Sequence, residues 1–430
     1  MGSILRIQES REWPLTWKIA FRFFFLYFIL YTFPFPVSPF DLGESLSQSV
    51  KDLWNVLAQG IAPWLDIEGP VDSSVTGSGD RISDYLILLV QSSFAAFLTL
   101  VWSFADRKRP SYATLLTILF IVLRYYLAWN MFIYGYYKIF KLQFPFPSLY
   151  RLVQPYGDSS PMGLAWTYMG YSDTYSWFAG ALEIIGGSLL LFRRTATLGA
   201  LASFGVMLNV FMMNMSFDIP VKLFSLHLLV MALFITLPDV QRLLHVLLFN
   251  RATEPRLIDL DLGPLWARIT RWVAKLAFIG FAVIYGGVHV AGMLEQFGES
   301  APKPPHYGIY DVEEFVLNSD TIPPLTTDPD RWSRIIVNYP GTIRLYYMEN
   351  GRMDYRFAVD SLDQSVSLTQ YADSVEYFTG NIVPLDSVRS RWSGIMMGDT
   401  LDVTVKRYDE QNFTLVNRGF HWVNEYPFNR

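Results

Sequence analysis

The sequence predicts a polytopic α-helical membrane bundle of about seven spans, followed by an outward-facing antiparallel all-β barrel or sandwich. Three observations carry this reading. Apolar residues make up 51% of the 430 residues and aromatics 17%, and mean hydropathy is positive at +0.23. The aromatics crowd into long apolar runs flanked by Arg and Lys, the pattern of membrane spans with interfacial belts. Beyond about Pro302 the periodicity changes to alternation broken by Gly, Asn and Asp turns.

A run of about 20 apolar residues crosses a hydrocarbon core of about 30 Å. Seven runs qualify: Trp17–Val37, Tyr85–Phe104, Tyr112–Phe140, Ser176–Phe192, Leu198–Phe217, Val221–Phe249 and Trp272–Met293. The first is read as a retained helix. Its apolar region is too long for a signal peptide, and "FPFPVSPF" offers no small-residue cleavage site. The sixth is expected to leave the membrane near Pro238, with "DVQRLLHVLLFNR" along the interface. "FPFP" occurs at Phe33–Pro36 and Phe144–Pro147, where proline stops a helix by lacking an N–H and by biasing the preceding residue to extended geometry.

Positive charge sets orientation. "MGSILRIQESREW", "ADRKRP", "FRRT" and "QRLLHVLLFNR" with the later "RLID" and "ARITRW" all fall on one side if seven spans start from a cytoplasmic N-terminus. The loops 38–82, 141–175 and 217–220 then face outward, as does everything after 294. The expected organisation is an N-terminal membrane region with two helices and an outward loop (1–110), a four-helix unit (111–250), a cytoplasmic linker with the last span (251–300), and a periplasmic β domain of lipocalin-like size (301–430). In the loop 156–178, "SPMGLAWTYMG" reads as a short interfacial helix with Pro161 at its first position, either an amphipathic connector or a lid.

Net charge is −5, from 34 basic and 39 acidic residues, so no basic surface suggests nucleic acid. The chain has no Cys, which excludes disulfides, thiolate catalysis, Cys-ligated zinc and iron–sulfur clusters. A chain without Cys is compatible with any redox compartment.

In the β domain, "RIIVNYPGTIRLYYMENGRMDYRFAVDSLDQSVSLTQ" and the alternating stretches on to "QNFTLVNRGFHWVNEY" give seven or eight short strands, with turns at "YPG", "ENG" and "DSLDQ". Trp332 and Trp392 are expected as core or lid. The terminal "NRGFHWVNEYPFNR" reads as the barrel-closing strand, with Arg418, Phe420, Trp422 and Asn424 on one face and Gly419, His421, Val423 and Glu425 on the other. Pro427 ends the pairing, leaving Arg430 to meet Asp218 or Asp158 at the mouth of the bundle.

Ionisable groups inside spans are costly, so they face a bundle interior and mark function. Asn130, Tyr134 and Lys138 form one stripe at i, i+4, i+8. At about 1.5 Å per residue, Asn130, Glu183, Asn209 and His227 form a layer below the outer surface. Lys138, Asn214, Asp218 and Lys222 form a second layer near the mouth. Glu183 needs a partner, and Lys138, Lys222 or His227 are the cations in reach. The layers read either as a structural polar clasp between helices or as an outward-open site for a small polar ligand. Haem between His227 and His289 has nothing further to support it, and no metal site is expected.

Residues 113–246 carry "YGYYKIFKLQFP", the Glu of "GALEIIGGSLLLFRRT", "LGALASFGVMLNVFMMN" and "DIPVKLFSLHLLVMAL". This third of the chain resembles the four-helix unit of DoxX/DoxD-like bacterial membrane proteins, and the additional spans and β domain resemble the longer DoxX-like forms. The resemblance implies a bacterial inner-membrane protein touching quinone chemistry, with a periplasmic or membrane redox partner. It supplies no catalytic motif, so the candidate residues rest on depth alone. The expected function is a quinone-linked oxidoreductase component. The alternatives are a non-catalytic membrane module whose β domain binds a partner or lipophilic ligand, and a small-solute transporter.

Overall fold

The computed structural model describes residues 12–38, 41–67, 79–254, 264–360 and 365–429. The basic segment before Glu12, "RLID", most of the "DSLDQ" turn and Arg430 lie outside the described residues. The chain divides into two compact units. One holds the described residues up to Phe144 with Pro161–Ala165 and Asp173–Met293; the other holds Pro145–Ser160, Trp166–Ser172 and the residues from Leu294 onward.

The helices, in chain order, are α1 (Leu15–Thr32), α2 (Asp41–Ile61), α3 (Ile82–Ala105), α4 (Ala113–Ile139), α5 (Leu149–Val153), α6 (Pro161–Tyr171), α7 (Asp173–Leu190), α8 (Ala196–Ser216), α9 (Lys222–Thr236), α10 (Val240–Leu247), α11 (Leu265–Ile279) and α12 (Gly286–Gly292). Among the described residues, six helical stretches are long and apolar enough to cross a membrane: Leu15–Thr32, Ile82–Ala105, Ala113–Ile139, Ala196–Ser216, Lys222–Leu247 and Leu265–Phe297. The stretch expected as the fourth span forms helix α7, which is not among these six, since Asp173 and Glu183 dilute its apolar character. Packing holds it instead. A Cβ at Gly180 would meet Gly135 O at 2.6 Å, and a Cβ at Gly199 would meet Leu190 N at 2.6 Å. Glycines thus let α4, α7 and α8 approach at backbone distance, the small-residue packing of membrane helices.

α1 ends at Thr32, directly before Phe33, as proline punctuation requires. α6 begins at Pro161. The stretch 38–82, expected as an outward loop, contains the 21-residue helix α2. Its apolar residues recur at Leu46, Val50, Leu53, Leu57 and Ile61, a helical period that the low overall hydropathy of the segment hides.

The bundle core joins Phe28, Leu119, Leu123, Leu127, Met131 and Met231 among others. At one end, the buried Arg22 of α1 donates to the Tyr112 hydroxyl (2.6 and 3.0 Å), Ser103 Oγ (2.8 Å) and Asp106 O (2.9 Å). One cation thereby ties α1 to the end of α3 and the start of α4, with each of its three nitrogens hydrogen-bonded.

The second unit is a closed antiparallel barrel. Its strands are β1 (Gly308–Leu317), the two-residue β2 (Asp320–Thr321), β3 (Trp332–Tyr339), β4 (Thr342–Tyr347), β5 (Arg352–Val359), β6 (Ser365–Gln370), β7 (Glu376–Pro384), β8 (Arg389–Met396) and β9 (Asp399–Tyr408). Each long strand pairs with the next, and β9 returns to β1 from Ile309↔Tyr408 to Leu317↔Leu401, with a bulge between Val312 and Glu314. Eight strands close the sheet and remove its edges. Gly341 (φ +70°) and Asn350 (φ +68°) take the left-handed positions at the expected "YPG" and "ENG" turns.

Side chains fill the interior, with Trp332, Trp392, Phe315 and Phe378 all buried; both tryptophans are core. Tyr347 and Tyr355 share a hydroxyl contact of 2.7 Å, and Tyr377 lies 3.4 Å from Tyr347. Burial pushes the Tyr347 and Tyr355 phenols well above their ordinary range. Outside the barrel, α5 docks on β3: the Leu149 amide donates to Asn338 Oδ1 (2.9 Å), and Leu149 packs with Ile309 and Ile336.

The expected closing strand at 417–430 is not a strand. β9 closes the barrel, and the chain then makes a 3₁₀ turn (Glu410–Asn412), the short helix Thr414–Asn417 and a non-regular tail. Phe420, Trp422, Val423 and Tyr426 are exposed, so no two-face register exists. The tail is organised locally: Arg418 donates to Asn424 Oδ1 (2.6 Å) and lies 4.6 Å from the Phe428 ring centre.

Candidate functional site

Among the sequence-predicted residues, Lys138 and Glu183 come together. Lys138 Nζ of α4 donates to both carboxylate oxygens of Glu183 on α7, at 2.8 and 2.9 Å. Glu183 is 1% exposed and Lys138 5%. The Gly135–Gly180 contact between the same two helices brings their backbones close enough for this reach. The Tyr134 and Phe144 rings flank the ammonium at 5.7 and 5.9 Å. The pair is buried and its two charged groups are hydrogen-bonded to each other across the two helices.

The other predicted residues disperse. Asn214 is buried and donates to Ser225 Oγ (3.0 Å), joining α8 to α9. Asp218 pairs with Lys222 (2.9 Å) on the surface. Asn130 donates to Tyr126 O (2.8 Å) of its own helix. Asn209 is exposed on α8. Two residues five apart on a helix are separated by about 140° around its axis, so when Asn214 faces α9, Asn209 faces away. Depth placed these residues at similar heights, but helix rotation places them in different neighbourhoods.

His227 belongs to a different site, built by α1, α3 and α9. Its Nδ1 bonds Leu223 O (2.7 Å) and its Nε2 bonds the Tyr27 hydroxyl (2.5 Å). A carbonyl only accepts, so Nδ1 carries the hydrogen, and in the neutral ring Tyr27 donates to Nε2. The imidazole lies flat on Tyr31, with centroids 4.0 Å apart and planes at 2°. Both ring nitrogens are engaged, and His289 stacks on Tyr285.

Beside His227 opens a cavity of about 250 Å³. Its polar lining comes from Tyr31, Asp80, Asp84, Gln91 and His227, and its apolar walls from Ile87, Leu88, Leu223 and Phe224. The two carboxylates are already used. Asp80 accepts the Lys222 and Leu223 amides (2.6 and 2.8 Å), which caps α9 in place of a local residue. Asp84 accepts the Arg81 amide (2.9 Å) in the capping box of α3.

Gln91 differs. It is 7% exposed, lines the cavity, and makes no hydrogen bond to the described residues. The Tyr31 hydroxyl likewise has no partner among them. The cavity is thus a half-open, partly aromatic space whose polar lining has hydrogen-bonding capacity left over. Tyr134 stands between the two sites, touching Phe224 of the cavity wall (5.8 Å) and the Lys138 ammonium.

Gln91, Tyr27 and Tyr31 were not singled out from sequence. Gln91 carried a usable signal, because it is a lone amide in "LILLVQSSFAAFL" and falls under the same cost rule that picked out Glu183.

Spanning helices and a closed barrel together define a multi-pass membrane protein with a C-terminal β-barrel domain, and the apolar helices imply association with a lipid bilayer. The chain is 34% identical over 125 residues to the uncharacterized protein YwoB of Bacillus subtilis (strain 168), a match covering 27% of this chain and 73% of that protein. The chain belongs to the family of that protein. No family model and no solved structure matches it.

Proposed function

We propose that the chain is a quinone-binding component of a membrane redox system, holding a quinone head group in the cavity between α1, α3 and α9. One observation carries this: a cavity at the bundle of a membrane protein whose buried Gln91 amide and Tyr31 hydroxyl have no partner among the described residues. A quinone head group is flat, apolar on its faces and hydrogen-bond accepting at two opposed carbonyls. Gln91 and Tyr31 supply donors, and Leu88, Leu223 and Phe224 supply walls. The volume is below the usual range of about 300–1,000 Å³ for whole ligands, which suits a head group whose tail remains in lipid. The likeness of 113–246 to DoxX-like units supports the same reading. On this reading the chain resides in a bacterial inner membrane with the barrel on the periplasmic side, and the electron donor or acceptor is a partner protein.

The test is solvent extraction of purified protein and quantification of bound quinone. Gln91→Leu and Tyr31→Phe should each lower the quinone retained, and the double variant should abolish it. Quinone-free wild type that also fails to take up added ubiquinone or menaquinone would overturn the reading.

The exposed tail favours a second reading, a module whose barrel recruits a partner by its surface. The interior is filled by its own side chains, whereas Phe420, Trp422 and Tyr426 are exposed. Loss of a specific cross-linked partner on Trp422→Ala would support it, and an unchanged cross-linking pattern would reject it.

A further inference from the structure

Arg124 sits near the middle of α4, between apolar turns. Its guanidinium lies 5.1 Å from the Tyr125 ring centre, and its Nε is buried without a hydrogen-bond partner. Lys275 of α11 places its ammonium 4.4 Å from the Phe192 ring centre and 5.3 Å from that of Trp272. Neither cation meets a carboxylate of the described residues. Arg124, Arg193 and Arg271 lie close enough to Lys275 to repel its charge.

Aromatic contacts join the helices of the cluster. Tyr125 packs edge-on against Phe278 (4.9 Å) and Trp129 stacks on Phe281 (5.0 Å), pinning α4 to the helix that carries Lys275. A Cβ at Gly187 would lie 3.2 Å from Ala128 O, so antiparallel α7 brings Phe192 and Arg193 level with Arg124. That is the level at which the α7–α8 turn leaves the bundle. Phe192 and Trp272 are about half exposed there.

Lone cations within apolar spans are costly, and repulsion among them adds to the cost. An anion would offset both. The exposed rings beside the cations mark the source of that anion as a molecule with an apolar body, since a free ion has no use for them. We propose that the cluster formed by α4, the α7–α8 turn and α11 binds the phosphate of an anionic phospholipid, with Arg124 and Lys275 on the phosphate and Phe192 and Trp272 against its acyl chains.

Basic pockets between membrane helices hold acidic head groups in this way, each cation contributing about 1 kcal/mol. The full chain in phosphatidylcholine nanodiscs should rise in melting temperature when phosphatidylglycerol is added, and purified protein should retain phosphatidylglycerol over phosphatidylcholine by native mass spectrometry. Lys275→Gln should weaken that retention severalfold, and Arg124→Gln with Lys275→Gln on the order of tenfold or more. If Arg124→Gln fails to fold, Arg124→Lys alongside Lys275→Gln keeps the comparison, because the first retains the charge and should retain lipid. No preference for phosphatidylglycerol, or equal retention by Lys275→Gln, would overturn the proposal. Equal stabilisation by inorganic phosphate alone would reassign the site to a soluble anion. Quinone retention should be unchanged by Lys275→Gln, which separates this site from the cavity of Gln91.

Discussion

Lys138 and Glu183 show what a single buried residue can specify. Each carries a charge that hydrocarbon does not solvate, and each is satisfied by the other. Removing one partner strands the second, which costs about 3–5 kcal/mol. Glu183→Ala should therefore lower the detergent melting temperature sharply, and Lys138→Met with Glu183→Leu should recover most of the loss. If the double variant is as unstable as the single one, the pair is more than a clasp. In the barrel, His306 lies against Phe357 and Trp392 (6.3 and 6.4 Å), and burial lowers its pKa from the ordinary histidine value. The folded barrel thus prefers the neutral ring. The unfolded chain binds the proton more readily, so this contribution is full above about pH 6.5 and is lost as pH falls below it. Unfolding midpoints followed down to about pH 5.5 should fall more steeply for wild type than for His306→Phe. That Glu183 needs a cationic partner was legible in the sequence because burial cost needs no helix phase to be recognised, but the choice of Lys138 over Lys222 or His227 was not. Asn209 was not, because its role turned on about 140° of rotation that depth does not encode.

At the scale of elements, glycine decides where helices and strands meet. A Cβ at Gly180 falls 2.6 Å from a backbone oxygen of α4, and no rotamer change relieves a backbone clash. Gly180→Val should push α4 from α7 and destabilise by about 1–3 kcal/mol or more, reducing Lys138–Glu183 coupling in a double-mutant cycle. Gly205, whose added Cβ would meet nothing within 4 Å, is the control. In the barrel, Gly380 and Gly394 face each other across β7 and β8, and a Cβ at Gly394 would collide with Thr379 O. That pair marks a tight corner of a closing sheet. The long apolar helices and alternating strands were readable because each obeys one period over many residues. α2 escaped because its stripe is set in a polar segment. The tail misled because alternating aromatics resemble a strand whether or not a neighbouring strand is available.

For the molecule as a whole, the decisive fact about the barrel is that β9 completes it by pairing with β1 over Leu401–Tyr408. Once that ladder forms, no edge remains for the tail to join, and its aromatic residues stay on the surface. A strand assignment for 417–430 requires deletion of the tail to open the sheet; the observed closure requires the opposite. Truncation after Arg418 should leave the protease resistance and melting temperature of the barrel unchanged. Truncation after Asp402 removes Val403 and Val405, which are fully buried, and should abolish the folded domain. Limited proteolysis of the full-length and truncated chains in nanodiscs decides between the two, because an open barrel exposes the ladder amides of β1 and is cut there. If removal of the tail alone makes β1 susceptible, closure by β9 does not suffice and the tail is a latch. If β1 stays protected, the tail is free to serve the surface, which is the condition that any partner-binding role for Phe420 and Trp422 requires.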